Sequence, residues 1–356
     1  MKPRKIKIAL LFGGRSAEHE VSLISASAIY RNIDKKKYEV ISLYINKKGE
    51  WKKVSSPFLF PEKLEKGPSF SFLPWEAAAL SRRVRADIYF PVLHGPYGED
   101  GTIQGLLEMA DVPYVGAGVL ASAVGMDKAV MKALFAMKNL PLVKYKTILN
   151  SEYLKNKKAV LSLVKKEFPL PFFVKPANLG SSVGISKVKT YAETSRAIRK
   201  ALCYDRKIIV EQGVIGREVE CSVLGNDAPR ASLPGEVIPY REFYDYRDKY
   251  LEGKTRFRIP AQLPEAKVTE IQRLAVEAYK AVDCSGMARM DFFLEERTGQ
   301  IYINEINTIP GFTEISMYPK LWEASGIPFP RLVEKLIRLG FERHRRKKRC
   351  LERLTR

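Results

Sequence analysis

The sequence predicts an α/β protein whose first third is a doubly wound domain built on a parallel sheet. Two observations carry this. Strand-like and helix-like segments alternate from the start, beginning with the apolar run Ile6–Phe12, the turn Gly13-Gly14 and a helical stretch over Ser16–Arg31. The composition is that of a folded chain: 356 residues, 46% apolar and 28% charged, with 17 Phe, 17 Tyr and 3 Trp. That length suits two or three domains and is too aromatic for general disorder.

Taken in order, Ile6–Phe12 reads as a buried parallel strand because it has no polar alternation. Tyr38–Ile45 is rich in β-branched residues, and Asp87–Leu93 and Val112–Val115 read as two further strands around a helix from about Thr102 to Ala110. The segment 46–86 holds Pro57, Pro61, Pro68 and Pro74 and is the least regular part. A helix follows from Asp127 to about Met137. Phe172–Lys175, Gly184–Val188 and Lys207–Glu211 read as strands, with a helix over Tyr191–Cys203. Val219–Leu224 alternates polar and apolar residues, which predicts a half-exposed antiparallel strand. The polar, aromatic segment 234–264 has no period, as functional loops often do. Helix Glu265–Val282 precedes a hairpin of Ala288–Leu294 and Gln300–Glu305, turning at Arg297-Thr298-Gly299, and a last helix spans Phe329–Gly340.

The net charge is +21, with residues 341–356 contributing +6 and residues 1–7 contributing +4. A nucleic-acid binder would want basic residues interleaved with aromatics on one face; here the aromatics follow the strands and the 234–264 segment, so no nucleic-acid partner is expected. No apolar run approaches the ~20 residues of a membrane span, and no signal peptide is evident. Cys203, Cys221, Cys284 and Cys350 lie too far apart for a zinc site or a disulfide framework, which points to a reducing cytoplasm.

Three groups carry chemistry. In Lys175-Pro-Ala-Asn-Leu-Gly-Ser-Ser-Val-Gly184 a lysine at a strand end precedes a loop whose glycines and exposed amides can cradle phosphate. A flexible turn explains the glycines equally well. On the hairpin, Glu305 and Asn307 share one face and pairing brings Asp291 close to Glu305. Two such carboxylates repel unless a cation sits between them, and oxygen ligands suit Mg²⁺. The third group lies at strand ends in the first domain. It comprises Gly13–Glu20, where Glu18 is placed to hold an ammonium group, and His94–Gly101, where His94 is the best-placed histidine.

Together these segments resemble the D-alanine–D-alanine ligases of the ATP-grasp superfamily. The resemblance runs from about residue 5 to 340. It is carried, in order, by Gly13-Gly-Arg-Ser-Ala-Glu-His-Glu-Val-Ser22, His94-Gly-Pro-Tyr-Gly-Glu-Asp-Gly101, Met126-Asp-Lys128, Val174-Lys-Pro176 and Gly180-Ser-Ser-Val-Gly184. Phe243-Tyr-Asp-Tyr-Arg-Asp-Lys-Tyr250, Ala288-Arg-Met-Asp291 and Asn304-Glu-Ile-Asn-Thr-Ile-Pro-Gly311 complete it.

The resemblance implies an ATP-grasp fold with an N-terminal Rossmann-like domain (1–127), a central subdomain (128–217), a C-terminal subdomain (218–340, with a lid at 234–264) and a basic tail (341–356). It implies ATP between two antiparallel sheets, with Lys128, Lys175, Ser182 and the lid residue Lys249 at the phosphates and Glu211 and Glu218 at adenine and ribose. Asp291, Glu305 and Asn307 would hold two Mg²⁺ ions, with Mn²⁺ as a substitute. Glu18 would bind the first D-alanine's ammonium group, with His94 near its carboxylate, and Ser316 the second D-alanine's carboxylate. Arg289 and the Gly311 amide would face the developing oxyanion, and Tyr250 would bond Ser181 and Glu18. The implied reaction joins two D-alanines through an acylphosphate in a cytoplasmic homodimer that binds no membrane. The lid sequence resembles dipeptide-forming members rather than those that use D-lactate or D-serine.

Overall fold

The computed structural model describes residues 4–58, 61–70, 83–239 and 255–354. The first domain holds β1 (Ile6–Gly13), α1 (His19–Asn32), β2 (Tyr38–Ile45), β3 (Trp51–Val54), α2 (Pro61–Glu65), β4 (Ser69–Phe70), β5 (Ile88–Val92), α3 (Thr102–Met109) and α4 (Val119–Met126). Its sheet runs β4-β3-β2-β1-β5, with β1 parallel to both β2 and β5. Leu10, Phe12 and Phe90 pack with Ala26 and Ile29 of α1 on one face, while Ala9, Leu11 and Tyr89 pack with Ile103 and Leu107 of α3 on the other. Cover on both faces is why β1 lacks alternation.

Three details differ from expectation. Val112–Val115 forms no strand; a single parallel bridge joins Tyr89 and Tyr114, because Pro113 has no N–H to extend the ladder. Part of 46–86 is regular: β3 and β4 add an antiparallel hairpin to β2. Pro57 and Pro68 lie outside the strands, and Pro61 opens α2. Helix α1 starts at His19 rather than Ser16, since Ser16 is used in the turn: its hydroxyl donates to the His94 carbonyl at 2.7 Å and accepts from the Glu18 amide at 3.1 Å.

The central region holds α5 (Lys128–Met137), β6 (Tyr145–Leu149), α6 (Asn150–Lys155), α7 (Lys157–Glu167), β7 (Phe172–Pro176), β8 (Ser186–Val188), α8 (Thr194–Leu202) and β9 (Lys207–Gln212). Its antiparallel sheet runs β6-β9-β7-β8. Strand β6 and helices α6 and α7 escaped the sequence reading because they bury little; Val164 is the one fully buried residue of α7.

The third region holds β10 (Gly216–Gly225), β11 (Arg230–Ala231), β12 (Gly235–Ile238), β13 (Arg256–Arg258), α9 (Glu265–Ala281), β14 (Gly286–Glu295), β15 (Ile301–Asn307), α10 (Met317–Ala324) and α11 (Phe329–Leu354). The sheet runs β13-β12-β10-β14-β15, with β11 beside β10. Strand β10 is central, not half-exposed. Val219, Cys221 and Val223 pack with Ile271 and Leu274 of α9. On the opposite face Ser222 donates to the Tyr318 carbonyl of α10 at 3.3 Å, and Glu218 and Glu220 line a cleft.

The last helix does not stop at Gly340 but runs to Leu354, so most of the basic tail is helical. Gly340 lies against the first domain, where an added Cβ would stand 2.6 Å from the Tyr114 carbonyl oxygen. It is there for close approach, not termination. Arg343 donates to the Tyr114 carbonyl at 3.1 Å and the Ser285 hydroxyl at 3.2 Å, and lies 4.0 Å over the Tyr114 ring. Among the described residues no helix is long and apolar enough to cross a membrane, and all four thiols are free.

Candidate active site

The first part of the site is built at the carboxyl ends of β1 and β5, where a doubly wound sheet opens. Strand β1 ends in Gly13 (φ +93), where a Cβ would lie 2.2 Å from the Ile45 carbonyl oxygen; only glycine permits this turn. The turn brings Glu18, 8% exposed, to the start of α1. From the β5 side, Gly95 (φ +73) leaves room for that carboxylate, since a Cβ would lie 2.6 Å from Glu18 Oε2.

His94 is buried. Its Nδ1 bonds the Ile309 carbonyl at 2.9 Å and its Nε2 the Ser25 hydroxyl at 3.0 Å. The carbonyl accepts only, so Nδ1 carries the proton and Nε2 accepts from Ser25. Burial pulls the imidazole pKa down, which keeps it neutral. Glu99 accepts from the Gly95 amide at 2.9 Å and the Ile309 amide at 3.0 Å, tying the β5 loop to the turn that carries Gly311. Burial first, and the neighbouring Glu18 carboxylate second, push its pKa up to about 8.

The second part is one face of the larger sheet. Register sets Ser222 opposite Arg289, Glu220 opposite Asp291, and Glu218 opposite Phe293. On the other flank Arg289 faces Asn307 and Asp291 faces Glu305. Side chains two apart share a face, so three strands present one polar stripe. Arg289 chelates Asp291 with bonds of 2.7 and 2.7 Å and approaches Glu220 Oε2 at 3.0 Å. Asn307 donates to Asp291 at 3.0 Å. Lys128 Nζ lies 3.0 Å from Glu305 Oε2 and 2.9 Å from the Leu179 carbonyl.

The smaller sheet supplies the facing wall. Lys175 on β7 bonds Glu211 on β9, whose other oxygen lies 2.7 Å from Lys132 Nζ. Burial opposes ionisation of Glu211, yet the two ammonium groups outweigh it and hold its carboxyl at about 2. Beyond β7, Ser181 (φ 49) and Ser182 (φ 59) take successive left-handed conformations. Such conformations turn backbone N–H groups towards one side, as anion-binding nests do. The Ser181 hydroxyl donates to Glu18.

Two cavities result. A cleft between the sheets is lined by Lys128, Phe173, Lys175, Glu211, Glu218 and Phe293, among others. A more polar cavity beside it is lined by Glu18, His94, Glu99, Arg289, Gly311 and Ser316, among others. Ser181, Glu220 and Glu305 line both, so the two meet there.

Residues 7–117 match the family described as D-ala D-ala ligase N-terminus, and residues 134–338 match D-ala D-ala ligase C-terminus. The chain belongs to the D-alanine–D-alanine ligase family. The D-alanine--D-alanine ligase of Solibacter usitatus is 53% identical over 343 residues, covering 96% of this chain and 98% of its own. That of Heliobacterium modesticaldum is 49% identical over 363 residues, covering 99% of each. The solved D-alanine-D-alanine ligase from Coxiella burnetii superposes with a TM-score of 0.88 at 39% identity, over 98% of each chain. The VanG D-Ala:D-Ser ligase from Enterococcus faecalis does so at 0.83 and 36%, covering 95% of this chain and 100% of its own. The fold is therefore ATP-grasp with an N-terminal α/β domain.

Against this family frame, fourteen of the sixteen sequence-selected residues line the two cavities or their junction. Lys249 and Tyr250, with residues 240–254 of the expected lid, lie outside the described residues. Lys175 faces Glu211 here and Arg289 faces Asp291, so both cations hold carboxylates of the chain itself. Ser316 accepts from the Thr313 amide at 3.0 Å, and an added Cβ on Gly311 would lie 2.6 Å from its hydroxyl.

Sequence reading gave no role to Lys132, Glu99 or Glu220. A signal existed for two of them: Lys132 follows Lys128 by one helical turn on α5, and Glu220 continues the Glu218 alternation on β10.

The donor set of Asp291, Glu305 and Asn307 consists of hard oxygen ligands and fits Mg²⁺ or Mn²⁺ better than zinc. Among the described residues no three His, Cys, Asp or Glu side chains form a metal site by themselves. An ion there would complete its shell with phosphate oxygens and water, as Mg²⁺ commonly does.

Proposed function

We infer that this chain joins two D-alanine molecules into D-alanyl-D-alanine, converting ATP to ADP and phosphate, for peptidoglycan synthesis in the cytoplasm. The observation that carries the reading is the junction of two unlike cavities at Ser181, Glu220 and Glu305. One is a long cleft with cations at its walls, suited to a triphosphate. The other collects Glu18, Glu99, Glu220 and Glu305 against Arg289, suited to ligands bearing ammonium groups.

In this reading the carboxylate of the first D-alanine attacks the γ-phosphorus and ADP departs. The amine of the second then attacks the acyl carbon, and phosphate leaves with the former carboxylate oxygen. Glu18 holds the first ammonium group, and its bond from Ser181 brings the phosphate-side loop against it. Neutral His94, fixed by Ile309 and Ser25, shapes the pocket near the first carboxylate, and Ser316 receives the second. Lys128 and Lys175 turn to the phosphates with Lys249 and the Ser182 loop, while Glu211 and Glu218 face adenine and ribose. Arg289 and the Gly311 amide face the oxyanion; one such donor is commonly worth about 10²–10³ in rate. Asp291, Glu305 and Asn307 would hold two Mg²⁺ ions, or Mn²⁺, which neutralise charge on the β- and γ-phosphates. Tyr250, outside the described residues, is the group that the family resemblance assigns to bonding Ser181 and Glu18; excluding water from the site would protect the acylphosphate.

A homodimer fits the surface: Met109, Val119, Leu120, Val130 and Met137 are exposed on α3, α4 and α5, which pack side by side. The VanG relative shows that this fold also serves a D-Ala:D-Ser ligase, so the second substrate is the finer question. The test is product analysis with ATP and D-alanine, alone and with D-serine or D-lactate. D-alanyl-D-alanine as the dominant product is expected; a mixed product in preference to it would reassign the second site.

A further inference from the structure

Lys132 has no part in the ligation described above, yet its burial is costly. Its side chain is 1% exposed, with Nζ 2.7 Å from Glu211 Oε1 and 3.0 Å from the Asn304 carbonyl. An unpaired ammonium in such a place costs several kcal/mol, and burial pulls the Lys132 pKa down while Glu211 pulls it up. Lys175 bonds the second oxygen of the same carboxylate. Two lysines therefore share one acid.

The two lysines are not equivalent. Lys175 lies on β7 and lines the cleft, where a triphosphate would draw its ammonium away. Lys132 is anchored on α5 among Met131 and Phe135, both fully buried, and is held from behind by β15. When Lys175 turns to the phosphates, Lys132 is the cation left to Glu211. Among the described residues Tyr145, the register partner of Glu211 on β6, also faces that carboxylate; Lys187 and Glu218 line the same cleft, and Glu305 acts on both lysines.

We propose that Lys132 is a positioning residue that keeps Glu211 an ionised, acceptor-only carboxylate while Lys175 serves the phosphates, and so sets the preference for a purine with an exocyclic amine. The proposal rests on the reading that the nucleotide base lies at Glu211. An ionised carboxylate accepts from the 6-amino group of adenine but repels the 6-oxo group of hypoxanthine. Without Lys132, a buried Glu211 facing a bound triphosphate takes up a proton from solvent. A protonated carboxyl donates to an oxo group as readily as it accepts from an amine.

The test compares kcat/KM for ATP and inosine triphosphate, with saturating D-alanine, in the full-length wild type, Lys132→Met, Glu211→Gln and the double variant. The expected result is a fall of about tenfold or more in the ATP-to-inosine-triphosphate ratio for Lys132→Met, mostly through KM. Glu211→Gln should show a similar fall, and the double variant none beyond it. Lys132→Gln, which keeps hydrogen-bonding capacity without charge, should behave as Lys132→Met and serves if the latter does not fold. A wild-type ratio in both Lys132 variants, with an altered ratio in Glu211→Gln, would overturn the proposal while leaving the base at Glu211. An unaltered ratio in Glu211→Gln would overturn both the proposal and the placement of the base.

Discussion

Ser181 donates its hydroxyl to Glu18 across 163 residues of sequence. The bond joins the loop after β7 to the N-terminus of α1, and so connects the proposed phosphate side of the site to the proposed amino-acid side. A hydrogen bond to a charged group contributes about 1.5–3 kcal/mol. Ser181→Ala should therefore lower kcat/KM for D-alanine by about 10- to 100-fold. Steady-state ADP release against D-alanine concentration measures it.

Glu99 predicts a pH dependence of stability. Its folded pKa is raised to about 8 from 4.5, so between those values the unfolded chain has lost the proton that the folded chain keeps. The unfolded state binds fewer protons there, and the contribution of Glu99 to stability falls as pH rises from about 4.5 to 8. Glu99→Gln should remove that part of the slope. Melting temperatures at pH 5.5 and 8.5 in both proteins check this: the wild type should lose more on going to the higher pH.

Asp291 and Glu305 face each other in register, each beside a cation of the chain. Chelation with EDTA should abolish ADP release, and Mg²⁺ or Mn²⁺ should restore it. Asn307→Ala should raise the metal concentration needed for half activity by about tenfold, while Asp291→Asn should not be rescued by added metal. Metal titrations of activity decide each case.

Arg343 pins the last helix to the first domain through the Tyr114 carbonyl, and also donates to the Ser285 hydroxyl just before β14. Arg343→Met leaves these acceptors without their donor and should destabilise the protein by about 2–3 kcal/mol. It should hardly alter kcat in the folded enzyme. Denaturant unfolding and activity on the same samples separate the two effects.

The grouping of the site residues was largely legible because they come in short runs whose strand periodicity fixes their faces: Glu305 and Asn307 were placed together without any tertiary information. What escaped depends on distant partners. Gly340 reads as a helix stop until Tyr114 is beside it. The alternation of β10 reads as a wet face until a cleft and α10 cover it. Lys132 looks like one more surface lysine until Glu211 and Asn304 enclose it. The charge of +21 that dominates the composition bears little on the proposed mechanism, in which a few cations face a triphosphate.

The most direct test of the mechanism follows one oxygen. With D-alanine labelled in both carboxylate oxygens with ¹⁸O, an acylphosphate pathway transfers one labelled oxygen to the released phosphate for each dipeptide formed. Mass spectrometry of the phosphate should show that single label. Unlabelled phosphate accompanying dipeptide formation would contradict the account.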